Sequence, residues 1–101
     1  MVKFIAFYKT PQDKEAFDKH YFGTHMPLCE KLPGLQKAEV SRLSSGAPGG
    51  ESPYYLMTEL YFNSMDEMNA AWGTPEGKAV FKDTRNIEPG LLTPVIAEIT
   101  E

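Results

Sequence analysis

Both rows of alternate residues in the segment Val2–Tyr8 are largely apolar: Val2, Phe4, Ala6 and Tyr8 form one row, Lys3, Ile5 and Phe7 the other. A strand of this kind needs cover on both faces. The chain of 101 residues reads as one domain, 1–101, with no room for a second packed unit. A domain of this size buries only roughly 60–65% of its unfolded surface, so a partner that covers more apolar area is expected.

The rest of the chain supplies three more strands and one layer of helices. Thr10-Pro11-Gln12-Asp13 reads as a helix start, with Thr10 as cap and Pro11 in the first helical position. Ala16, Phe17, His20 and Tyr21 then recur at helical spacing. Gly23 and Pro27 predict a break or kink near Gly23–Met26, followed by a short helical piece from Pro27 to about Lys31. Leu32-Pro33-Gly34 is a turn, Leu35–Leu43 a strand, and Ser44–Pro53 an exposed loop rich in Gly and Pro. Tyr54–Phe62 alternates most clearly, with Tyr54, Leu56, Thr58, Leu60 and Phe62 on one face and Tyr55, Met57, Glu59 and Tyr61 on the other. Ser64 with Glu67 has the capping-box spacing and opens a helix through Trp72; Thr74-Pro75 starts another through Phe81. Thr93–Thr100 is the last strand.

The order is βαββαβ, the ferredoxin-like pattern: an α+β fold with a four-stranded antiparallel sheet and helices on one face. The second sheet face, with Ile5, Phe7, Met57 and Tyr61, is too apolar for water. A homodimer joined sheet face to sheet face is the expected closure.

Composition removes several function classes. Ten Lys+Arg against fourteen Asp+Glu give a net charge of −4, the wrong sign for nucleic acid or an anionic membrane surface. The lone Cys29 excludes an internal disulfide and a cysteine zinc site. The start of the chain is neither a signal peptide nor a membrane span, so a soluble, cytoplasmic protein is expected. The glycines of the 44–53 loop precede no helix, which removes phosphate-cradling motifs, and no serine nucleophile elbow is present. Any chemistry is expected to proceed without a cofactor and without a metal held by a standard motif.

Three stretches carry a family resemblance: Tyr8-Lys9-Thr10-Pro11 with Asp13 and Phe17; Tyr21-Phe22-Gly23-Thr24-His25-Met26-Pro27-Leu28; and Leu32-Pro33-Gly34-Leu35. Together they resemble the EthD family, named for an ethyl tert-butyl ether degradation protein. The resemblance implies a dimeric α+β barrel. That superfamily includes small isomerases, cofactor-independent monooxygenases, haem-degrading enzymes and proteins with no assigned reaction, so it specifies fold better than chemistry.

His25 is the first candidate catalytic residue. It lies at the predicted helix break, its ordinary pKa suits acid–base work at neutral pH, and it falls on the family's His-x-Pro motif. The alternative is a ring that only bonds backbone groups and fixes the kink. Tyr21, four residues earlier, is placed to orient the imidazole or a ligand oxygen, or simply to fill the core. His20 lies about 140° away from His25 on a regular helix and would share its face only if the break realigned them. Tyr8, Tyr61, Trp72 and Phe81 are expected to line a ligand pocket between sheet and helices. Glu59 is a candidate ligand-binding or interface carboxylate, expected to find a basic partner such as Lys3.

Two further function classes stand beside an enzyme that moves a proton on a small apolar, aromatic or enolisable metabolite by isomerisation, decarboxylation, cyclisation or oxidation. One is a non-catalytic dimeric protein that holds a hydrophobic metabolite. The other is a haem-binding protein with His25 as axial ligand.

Overall fold

The structure is a computed structural model and describes residues 1–100. Four strands, β1 (Val2–Tyr8), β2 (Leu35–Arg42), β3 (Leu56–Phe62) and β4 (Leu92–Glu98), form one antiparallel sheet in the order β2-β3-β1-β4. The helices are α1 (Lys14–His20), α2 (Met26–Cys29), α3 (Met65–Trp72) and α4 (Pro75–Thr84), with a π turn over Tyr21–His25 joining α1 to α2. The ferredoxin-like α+β order read from the sequence is the order found.

Register explains why one sheet face is core. Val2, Phe4, Ala6 and Tyr8 of β1 lie opposite Phe62, Leu60, Thr58 and Leu56 of β3, so one row from each strand meets the helices. Leu56 and Phe62 are fully enclosed there, and burial of such side chains is worth about 1.5–3 kcal/mol each. Phe17, Tyr21, Met68, Ala71 and Val80 cover this face from the helical side. The opposite rows, including Ile5, Phe7, Met57 and Tyr61, form a sheet face with no helix over it.

Local capping sets the helix starts. Ser64 accepts from the Glu67 amide and Thr74 from the Gly77 amide, as their spacing predicts. The first helix starts later than expected. Asp13, not Thr10, is its cap and accepts from the Ala16 amide, while the Gln12 amide donates to Glu88 Oε1 and holds the chain extended before the helix. Gly77 seats α4 against α3: a Cβ there would lie 2.4 Å from the Ala71 carbonyl oxygen and 2.6 Å from that of Trp72. Only glycine permits that approach without moving backbone.

The disturbance expected near Gly23–Met26 is present, as a widened turn and not an interruption of the helix. The Met26 amide donates to the Tyr21 carbonyl, five residues back, and α2 follows directly with Pro27 near its start. A proline ring clashes with the carbonyl four residues earlier in a regular helix, and the wider turn relieves that clash. The third strand starts at Leu56, two residues later than the expected Tyr54. Tyr54 stacks on Phe7 and Tyr55 packs on Phe17, so a bend at Tyr55 reverses the faces predicted for both.

Candidate active site

The π turn determines where two histidines point. In a regular helix residues five apart diverge, but a turn closed by an i→i−5 bond brings them toward one side. His20 and His25 accordingly reach the same acceptor, Oδ2 of Asp83 in the last turn of α4, at 3.0 Å from His20 Nε2 and 2.8 Å from His25 Nδ1. The divergence of about 140° expected for a regular helix does not hold here. His25 and Asp83 are buried, while the His20 side chain is 30% exposed.

A carboxylate only accepts hydrogen bonds, so both ring nitrogens that face it carry protons. Asp83 Oδ1 also accepts from the Asn86 amide group at 3.1 Å. Burial pushes the Asp83 carboxyl up, but the bonds from His25, Asn86 and His20 outweigh it and hold the group below its ordinary 3.8. Burial also dominates at His25, keeping the ring below its ordinary 6.5 although Asp83 pulls the other way. His25 is therefore neutral near pH 7, with Nδ1–H fixed on Asp83 and the lone pair on Nε2.

His25 lines a cavity of about 70 Å³ between sheet and helices, along with Tyr8, Tyr21, Thr58, Trp72 and Phe81. The Tyr21 ring lies against the His25 imidazole, centroids 5.2 Å apart. Its hydroxyl makes a short hydrogen bond with Thr58 Oγ1, so Tyr21 meets His25 by ring contact alone and the hydrogen-bonding partner of the imidazole is Asp83. Burial pushes the Tyr8 phenol and the Cys29 thiol up to about 12, and the Tyr21 phenol up as well. These groups stay protonated at neutral pH.

Tyr8 and Trp72 line this cavity, as expected, but Tyr61 does not. Alternation along β3 puts Tyr61 on the opposite face, where its hydroxyl donates to Glu39 Oε1 at 2.9 Å. Glu59 shares that face and pairs with Lys3 at 2.6 Å, the basic partner anticipated for it. Neither residue belongs with His25. Asp83 has no place in the sequence reading, although one signal points to it: Val80, Asp83 and Ile87 fall at helical spacing on the buried side. A carboxylate on an apolar stripe needs a partner.

Among the described residues, no cluster of three or more His, Cys, Asp or Glu side chains is arranged to hold a metal ion. A haem group does not fit the cavity that His25 lines either. The roughly 70 Å³ of space there is far below the ~300–1,000 Å³ of pockets that enclose even drug-sized ligands, and Trp72 and Phe81 would have to be displaced. No helix is long and apolar enough to cross a membrane.

The cluster also sets a pH dependence of stability. His25 and Asp83 both bind protons less readily in the folded chain than in the unfolded one, so the unfolded state gains as pH falls. Stability from His25 is complete above about pH 6.5 and is lost as pH drops from there; the Asp83 share is lost below about 3.8. The expected result is a melting temperature that is flat above about pH 7 and falls as pH drops below about 6.5. A melting temperature that rises on acidification below that pH would contradict this account of the two groups.

The sheet order and the single helical layer define the class: this is an α+β protein of ferredoxin-like fold, and its structural neighbours include dimeric ferredoxin-like proteins. Within that class the chain belongs to the EthD domain family, which matches residues 9–87. It is 31% identical over 93 residues, 92% of this chain and 89% of the relative, to an uncharacterized 11.0 kDa protein of the thcB-thcC intergenic region in Rhodococcus erythropolis. A crystal structure of an EthD family protein from Bacillus halodurans is 48% identical, with 99% of each chain covered and a TM-score of 0.92. Two more distant structures share the fold alone. One is a dimeric ferredoxin-like protein from Bacteroides fragilis (20% identical, 97% of this chain and 95% of that one, TM-score 0.66). The other is SnoaB, a cofactor-independent oxygenase from Streptomyces nogalater (11% identical, 99% and 93%, TM-score 0.70).

Proposed function

We propose that the protein is a small enzyme in which His25 acts as general base on an apolar or aromatic molecule bearing an acidic C–H or phenolic O–H. The observation that carries this reading is the pairing of His25 Nδ1 with buried Asp83 at 2.8 Å in a residue that lines the cavity. A fixed tautomer, a neutral ring and an apolar enclosure are what proton abstraction needs. The first step moves the substrate proton to Nε2 and leaves an enolate or phenolate beside a cationic imidazole held by Asp83. Isomerisation, decarboxylation, cyclisation and cofactor-independent oxygenation can all begin from such an anion. The last of these is the activity of SnoaB, with which this chain shares the fold.

The size of the cavity restricts which part of a ligand enters. About 70 Å³ admits the reacting end only, and the remainder would lie over Trp72 and the half-exposed Phe81, whose rings are 5.1 Å apart. An aromatic body suits that rim. The working form in this reading is a homodimer closed through the open sheet face, which leaves the cavity on the helical side of each protomer.

Deuterium exchange in D2O tests the shared first step without knowledge of the final product. A panel of aryl 1,3-diketones and polyphenols is incubated with the protein, and loss of the acidic C–H signal is followed by NMR. At least one member is expected to exchange faster than in buffer alone. Buffer-level exchange across the panel, combined with tight binding of one member, would favour a carrier of hydrophobic metabolites instead.

A further inference from the structure

His20 has no part in the proton transfer just described, yet it donates to the same oxygen that anchors the base. We propose that His20 is a positioning residue that weakens the Asp83 anchor of the His25 base by competing with it for Asp83 Oδ2. The inference rests on the reading of His25 as the base and adds what controls that base.

The geometry assigns the two rings unequal access to solvent. His20 lines a surface groove of about 270 Å³ with Asp13, Asn86 and Glu88, while His25 is 3% exposed. Asp83 Oδ2 is shared between two N–H donors, so it supports a charge on His25 less than it would in a lone His–Asp pair. Burial lowers the proton affinity of His25 most, and the neighbouring His20 acts in the same direction.

The other groups around the pair do not supply this control. Tyr8 from β1, Tyr21 from the π turn and Cys29 from α2 face the His25 side and stay protonated near neutral pH. Lys82 lines the surface beside Asp83 and Asn86 on α4, and Asp13 and Glu88 face the His20 groove. All three charged groups remain in place when His20 is replaced, so a change on replacement reports His20 itself.

The test is a pH titration of the His25 ring by two-bond ¹H–¹⁵N correlation in substrate-free protein, comparing wild type with His20→Ala and His20→Gln. Removing the competitor is expected to raise the proton affinity of His25 by roughly threefold or more in His20→Ala, and by less in His20→Gln, whose amide can still donate to Asp83. The Gln variant also serves if the Ala variant does not fold. An unchanged His25 midpoint in a folded variant overturns the proposal. Because no substrate is present, that outcome is separate from failure of the exchange assay, which bears on His25 as a base and not on what tunes it.

Discussion

In a His25→Ala variant, enzyme-dependent deuterium exchange is expected to fall to the buffer rate, and in Asp83→Asn by about 10²–10⁴-fold. The two losses have different causes. Alanine removes the nitrogen that receives the proton. Asparagine keeps the volume of the side chain but replaces an acceptor-only group by one that both donates and accepts. An amide NH2 turned toward His25 Nδ1 selects the tautomer with the proton on Nε2, which is then a donor where an acceptor is required. The ¹⁵N spectrum of the ring distinguishes these cases: the wild-type ring carries its proton on Nδ1 and the Asp83→Asn ring on Nε2. A variant that keeps the wild-type exchange rate with the tautomer reversed would remove His25 from the chemistry and leave it the task of fixing the π turn. Stability gives a second readout, because two imidazoles lose the carboxylate that accepts from both. A buried group deprived of its partner costs about 1–3 kcal/mol.

The second large effect concerns assembly. Lys3 and Glu59 neutralise each other on the open sheet face, and around them Phe7, Met57 and Val95 present apolar surface with no helix above it. Burial against a second copy is the closure proposed above, and it places Met57 near the middle of the interface. Met57→Lys puts an unpaired charge there, at a cost of several kcal/mol. At about 1.4 kcal/mol per factor of ten, the dimer is expected to weaken by roughly a hundredfold or more. Sedimentation across a range of concentrations should show dimer for the wild type and monomer for the variant. Since Met57 points away from the helices, the fold and the His25–Asp83 bond should persist in that monomer. A wild type that sediments as a monomer throughout would mean that the face is covered by something else or tolerates water.

Much of the architecture is legible in local patterns. The alternation through β1 and β3 and the caps at Ser64 and Thr74 specify conformations within a few residues of themselves. The two faces of the sheet follow from the period of the strand. Competing local bonds defeat the same reasoning at Thr10, where Asp13 caps instead, and at Tyr54 and Tyr55, where a bend cancels the period. His25 is legible as a candidate because the glycine and proline around it are visible in the sequence and resemble a family motif. What it pairs with is not legible: Asp83 lies 58 residues away in a polar run with Lys82, Thr84 and Arg85.

By itself the sequence determined the order of strands and helices, the core face and the position of one unusual histidine, because each depends on residue period, capping chemistry or backbone restriction over short spans. Only the tertiary structure decided that the disturbance of the helix would be a widened turn, that His20 and His25 would converge, and that Tyr21 would spend its hydroxyl on Thr58. Those outcomes depend on how α4 and β3 dock against the π turn. A hydrogen bond between distant segments has no period along the chain from which to read it.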